Sequence, residues 1–262
     1  MSAADPKKSA VKFKVVIPAR LGSTRLPGKV LRDVHGKPVI AHVWEAARVS
    51  GAEQIIIATD DETVAAAARG FGAEVRLTSA SHNSGTDRAN EVARTEGWDD
   101  STIVVNLQGD EPLMPPALLR QAATLLAEDP VADLATLAHP LHSVDEWLNP
   151  NVVKVVTDRR GYALYFSRAP IPWRRDGATR EKPVLPEGLA FRHIGLYAYR
   201  ANRLAEFSGL PPAPLEDCEA LEQLRALAHG MRIKLGITND PPPRGVDTEE
   251  DLAFVTAALA RR

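Results

Sequence analysis

Between residues 13 and 127, short β-branched apolar runs alternate with stretches of helical periodicity, and this alternation limits the fold more than any other feature. Phe13 to Ile17, Gln54 to Thr59, Glu74 to Leu77 and Ser101 to Leu107 read as buried strands. Between them, Pro38 opens a helix with Val39, Ile40, Val43 and Ala47 on one face, and Asp60 is placed to cap an Ala-rich helix. Ser84 or Thr86 is placed to cap a third helix, which runs to about Glu96. Such alternation predicts an α/β, Rossmann-like, mostly parallel sheet with helices on both faces. Ligands then lie beyond the carboxyl ends of the strands, where Arg20, Asp60 and Asp110 fall.

The pattern changes after about residue 130. Residues 133–139, 151–157, 162–166 and 191–199 read as strands without long helices between them, which predicts a smaller antiparallel lobe inserted at about 139–200. Residues 169–188 carry Pro170, Pro172, Pro183 and Pro186 and read as an irregular excursion. A helix over about Glu216 to His229, a strand at 232–237 and a helix from about Thr248 restore the first pattern. The expected division is a flexible stretch at 1–12 and a single domain at 13–262.

The chain has 262 residues, 44% hydrophobic and 25% charged, with a formal net charge of −2. That balance argues against a general nucleic-acid or membrane-surface binder. The one cysteine, Cys218, rules out an intrachain disulfide and paired-cysteine zinc sites, and reads as a packed thiol within a helix. No apolar run approaches the roughly 20 residues that span a bilayer, and the expected location is cytoplasmic.

The first strand opens into VVIPARLGSTRLPGK, residues 15–29. Gly22 and Gly28 permit close backbone approach to an anion, while Arg20, Arg25 and Lys29 neutralise it. Neither the P-loop order nor the dinucleotide-binding glycine order is present. NLQGDEP, residues 106–112, places Asp110 just past the most hydrophobic strand, where a carboxylate reaches a phosphate-bound cation or caps a helix. GVDT, residues 245–248, offers either Asp247 as a ligand or a cap by Asp247 or Thr248, with Glu250 completing a capping box.

Taken whole, ARLGSTRLPGK resembles the nucleotide-binding signature of the CMP-sugar-acid synthetases, most nearly their 3-deoxy-manno-octulosonate (Kdo) branch. NLQGDEP and GVDT are similar to two further motifs of that family, and RLTSASHNSGTDR (76–88) resembles its base-recognition segment. Ser81 departs from the Asp usual before the histidine. The resemblance covers nearly the whole chain. It implies CTP-dependent transfer of CMP to the anomeric hydroxyl of Kdo, with pyrophosphate released. It further implies Mg²⁺ on Asp110 and Asp247, catalytic roles for Lys29, Arg20, Asp110 and Asp247, and a homodimer with the lobe near its interface. Nucleotide contacts fall on Arg20, Gly22, Ser23, Arg25, Lys29, Ser84, Gly85, Thr86 and Gln108. Sugar-acid contacts fall on Arg168 in YFSRAPIPW, His193 and Tyr197 in RHIGLYAY, and Glu222 and Gln223 in LEDCEALEQLR, the last two leaning away from an apolar face of Leu221, Leu224 and Ala228. The competing expectations are the same chemistry on another sugar acid or a small carboxylate or phosphonate, a glycosyltransferase, and a non-catalytic binder on the same fold.

Overall fold

A computed structural model describes residues 11–22, 25–175, 179 and 181–261. The expected sheet is present. Strand β1 (Lys14–Pro18) precedes a two-stranded ribbon of β2 (Asp33–Val34) and β3 (Lys37–Pro38), and then helix α1 (Val39–Arg48). Strand β4 (Gln54–Thr59), α2 (Glu62–Gly70), β5 (Glu74–Leu77), α3 (Gly85–Thr95), β6 (Ile103–Asn106) and α4 (Pro116–Glu128) complete the alternating half. Strand β1 pairs in parallel with both β4 and β6, and β4 with β5.

The second half adds β7 (Leu134–Pro140), α5 (Val144–Leu148), β8 (Lys154–Thr157), β9 (Ala163–Ser167) and β10 (Phe191–Arg200). It ends with α6 (Ala201–Gly209), α7 (Pro214–Glu219), α8 (Gln223–Ala228), β11 (Ile233–Ile237) and α9 (Glu249–Leu259). The main strand order is β11-β7-β10-β6-β1-β4-β5. Strand β10 alone runs antiparallel to its neighbours β6 and β7 and extends past the sheet to pair with β8, which pairs with β9. These pairings build the lobe, which has a small core of Leu141, Trp147, Leu185 and Ala190.

Alternating side chains of the strands serve two cores, as the period of two requires. Val15, Ile17, Ile57 and Val105 pack with Ile40, Val64 and Leu119 on one face. Val16, Ile56 and Val104 pack with Val92, Phe207 and Leu224 on the other.

Several local expectations are corrected. Asp61 rather than Asp60 caps α2, accepting from the backbone N–H groups of Thr63 and Val64, while Asp60 pairs with Arg88 at 3.4 Å. The helix expected over 216–229 is broken into α7 and α8, because Ala220 adopts a left-handed conformation with φ of 51°. That break turns Gln223 inward, where it is buried, and leaves Ala228 exposed. Cys218 is exposed on the short α7. Asp251, not Glu250, completes the capping box with Thr248 at the start of α9.

Candidate active site

Three chain segments meet beyond the carboxyl end of β1. The backbone N–H of Gly109 donates to the carbonyl of Pro18, and a Cβ at Gly109 would lie 2.8 Å from that oxygen. Only glycine lets the β6 loop lie so close against the end of β1. The 245–248 segment is docked in the same way. Val246 N–H donates to the carbonyl of Asp110, and a Cβ at Gly245 would come within 2.9 Å of the Glu111 carboxyl and the Asp110 carbonyl. These approaches bring Asp110 and Asp247 together from distant parts of the chain. Because Thr248 provides the helix cap, the Asp247 carboxylate remains available.

Lys29 joins the two carboxylates. Its ammonium donates to Asp110 Oδ2 and, at 2.8 Å, to Asp247 Oδ1, while Arg25 reaches Asp247 Oδ2 at 3.0 Å. Burial opposes the charge on Lys29, but the two carboxylates outweigh it and hold its pKa above the ordinary lysine value. Burial and the neighbouring Asp110 charge push the Glu111 carboxyl up to about 8. The cleft around this centre encloses about 560 Å³. Arg20, Gly22, Arg25, Lys29, Ser84, Gly85, Gln108, Asp110 and Asp247 all line it. Ser23 lies outside the described residues.

The donor set suits a hard divalent cation. Two carboxylates already converge on one positive centre, the Lys29 ammonium, and oxygen donors are what Mg²⁺ prefers. Among the described residues no cluster of three or more His, Cys, Asp or Glu side chains is placed to hold an ion. Nucleotide phosphates and water would therefore complete the coordination.

A second, buried group adjoins the cleft. Thr86 is buried rather than lining the cleft; its hydroxyl donates to Glu222 Oε2 at 2.7 Å. Burial raises the Glu222 pKa, against the lowering effect of that hydrogen bond. Asn106 Oδ1, Tyr197 Oη and Glu222 Oε1 are buried without a hydrogen-bond partner. Buried polar atoms are normally paired, so three such oxygens on neighbouring elements mark a place where a polar ligand is expected. His193 packs edge-on to Phe166 and at 5.4 Å from Tyr197. Burial pulls its pKa down to about 3, so the ring is neutral at physiological pH.

Arg168 sits differently. Its guanidinium donates to the carbonyls of Glu219 at 2.7 Å, Pro150 at 3.1 Å and Ala220 at 3.4 Å. The Glu219 carboxylate accepts from Ser167 Oγ and from the Arg168 backbone N–H. Arg168 thus clasps the α7–α8 elbow that carries Glu222 and Gln223. His82 bonds Glu91 and also borders the cleft. Asn106 was missed as a site residue. Its only signal in the sequence is a polar side chain closing an otherwise apolar strand.

A parallel sheet delivering cations and paired carboxylates to one cleft is the frame of a nucleotide-handling α/β protein, and residues 14–233 match the family described as cytidylyltransferase. The 3-deoxy-manno-octulosonate cytidylyltransferases of Pseudomonas syringae pv. tomato and Pseudomonas fluorescens are each 54% identical over 248 residues, covering 94% of this chain and 98% of the relative. A solved CMP:2-keto-3-deoxy-manno-octonic acid synthetase complexed with CTP superposes with a TM-score of 0.85. It is 41% identical, with 95% of this chain and 98% of that chain covered. A cytidylyltransferase from Leptospira borgpetersenii serovar Hardjo-bovis shares the fold at 16% identity and a TM-score of 0.62, over 96% of this chain and 87% of its own. The chain belongs to the 3-deoxy-manno-octulosonate cytidylyltransferase family.

Proposed function

We propose that this protein transfers CMP from CTP to the anomeric hydroxyl of Kdo, forming CMP-Kdo and pyrophosphate. In this reading the hydroxyl oxygen forms a bond to the α-phosphorus, the bond from that phosphorus to the β-phosphate bridge breaks, and the hydroxyl proton leaves to solvent or a nearby acceptor. The observation that carries the assignment is the convergence of Lys29, Asp110 and Asp247 beside a buried set of unpaired oxygens. One part suits a polyanion and the other a hydroxyl-rich ligand.

The proposed roles follow from position. Arg20, Arg25 and Lys29 hold the triphosphate and stabilise the departing pyrophosphate charge, with Gly22 contributing close backbone approach. Ser84, Gly85 and Gln108 border the nucleotide. Asp110 and Asp247 would hold Mg²⁺, which would supply Lewis-acid polarisation of a phosphate and lower the pKa of a hydroxyl nucleophile. Tyr197, Glu222, Gln223 and His193 face the sugar acid, and Thr86 ties the nucleotide segment to Glu222. Arg168 contributes positive charge and holds the elbow in place. The reaction then rests on positioning and charge neutralisation rather than covalent catalysis.

The same reading takes residues 13–262 as one domain with the lobe inserted at about 139–200, homodimeric, cytoplasmic, and serving lipopolysaccharide synthesis. No helix among the described residues is long and apolar enough to cross a membrane. The test is pyrophosphate release with CTP and Mg²⁺ across Kdo, other 2-keto sugar acids, small phosphonates and a blank without acceptor. Release with Kdo alone is expected. Release only with another acid would reassign the acceptor, and silence from protein that binds CTP would overturn the reading.

A further inference from the structure

Strand β10 is irregular where it passes the acceptor group. His193 and Ile194 pair with Ala138 and Leu137, but the next pair is Tyr197 with Thr136, so Gly195 and Leu196 have no partners in register. Bulges of this kind re-aim side chains and are common beside active sites. Here the bulge separates His193 from Tyr197.

Thr136 is wholly buried beneath it. Its Oγ1 lies 3.0 Å from the carbonyl of Ile194, 2.9 Å from the carbonyl of Leu196 and 3.0 Å from His193 Nε2. A threonine hydroxyl has one proton. Carbonyl oxygens only accept, and giving the proton to one of them satisfies two of the three contacts, whereas giving it to Nε2 would satisfy one. The hydroxyl oxygen can then meet His193 only as an acceptor. With the ring neutral, a proton on Nε2 leaves Nδ1 bare.

We infer that Thr136 is a positioning residue of the acceptor site. Its hydroxyl pins the bulge and fixes His193 as the Nε2–H tautomer, which offers Nδ1 to a donor. A ring in that form can take a hydrogen bond from a sugar hydroxyl and cannot give one at Nδ1. The tautomer assignment stands on the hydrogen-bond arithmetic together with a neutral ring. Its bearing on Kdo rests on the proposed function.

The experiment compares the full-length protein with Thr136→Val, which keeps the shape and loses the hydroxyl, and Thr136→Ser, which keeps the hydroxyl. Long-range ¹H–¹⁵N spectra of ¹⁵N-histidine protein at neutral pH report which ring nitrogen carries the proton, with His193 identified by its loss in His193→Gln. The expected wild-type signature is a protonated Nε2 and a bare Nδ1. Thr136→Val should shift those signals toward the other tautomer. It should also raise the KM for Kdo about tenfold, the size of effect expected when a buried donor loses its acceptor. CTP affinity should stay unchanged, and Thr136→Ser should restore both readouts. A protonated Nδ1 in the wild type overturns the inference, as does a Thr136→Val protein with unchanged spectrum and KM. Should Thr136→Val fail to fold, the wild-type and Thr136→Ser spectra decide, since either one showing a protonated Nδ1 overturns it. Absence of Kdo-dependent turnover in the wild type removes the acceptor reading while leaving the tautomer test intact.

Discussion

The two halves of the site solve opposite problems. At the phosphate end, Lys29, Asp110, Asp247 and Arg25 are partly solvated and fully paired with one another. At the acceptor end, His193 is neutral and three buried oxygens have no partner. Charge in an open cleft gives attraction for any polyanion but little discrimination. Unpaired buried polar atoms do the reverse: they penalise every ligand that fails to match them and so select one. Under the proposed function, affinity for the nucleotide and choice of acid would be carried by physically different devices.

Four changes would break or sharpen that contrast. Asp110→Ala should have the largest effect, lowering turnover by roughly a thousandfold, because the site loses a carboxylate that would hold the cation opposite the transition-state charge and that orients Lys29. Steady-state pyrophosphate release at saturating Mg²⁺ checks this, and activity near wild type would remove Asp110 from the chemistry. Tyr197→Phe should raise the KM for the sugar acid about tenfold and leave the CTP KM alone. Because the hydroxyl it removes is already unpaired, thermal unfolding should not move downward, whereas a large fall in Tm would show that the hydroxyl has a structural partner.

The third prediction concerns pH. The His193 pKa is lower in the folded protein, about 3, than the ordinary 6.5, so the unfolded chain binds the extra proton first. Stability is full above about 6.5 and falls as the pH drops toward 3, by up to about 1.4 kcal/mol per pH unit from this group. Denaturant unfolding of His193→Gln between pH 7 and pH 4 should show a shallower slope than the wild type. The smallest effect is expected from salt. Raising ionic strength from about 0.05 to 0.3 M should weaken CTP binding a few-fold by screening, and leave the sugar-acid KM nearly unmoved. Equal sensitivity of both constants would dissolve the distinction drawn above.

Much of the phosphate end was legible in the sequence because its residues come in short strings at strand ends. Arg20, Gln108 and Asp110 follow apolar runs, strand-end placement in a mostly parallel sheet sends them to one side, and Lys29 closes the loop that begins at Arg20. The proposed acceptor residues rest on family resemblance, since Arg168, His193 and Glu222 lie on separate elements. What stayed hidden depends on tertiary context. Nothing local marks Ala220 as left-handed; the elbow is held from outside the helices by Arg168, which donates to the Glu219 and Ala220 carbonyls. Asp60 and Asp61 are equally good caps on paper, and Arg88 draws Asp60 away. Thr136 reads as one more β-former in a strand, because a bulge two strands' worth of sequence downstream gives it its role.

The contact between Lys29 and Asp247 joins residues 218 positions apart in the chain. During synthesis, the basic loop and Asp110 emerge long before the segment that carries Asp247. Closing such long-range contacts is slow relative to helix and hairpin formation. A growing chain could therefore fold its first parallel strands and bind nucleotide phosphates without being able to complete the carboxylate pair. Under the proposed function, competence would wait for the 245–248 segment, and proteolysis within the turn before α9 would silence the protein while leaving most of its sheet standing.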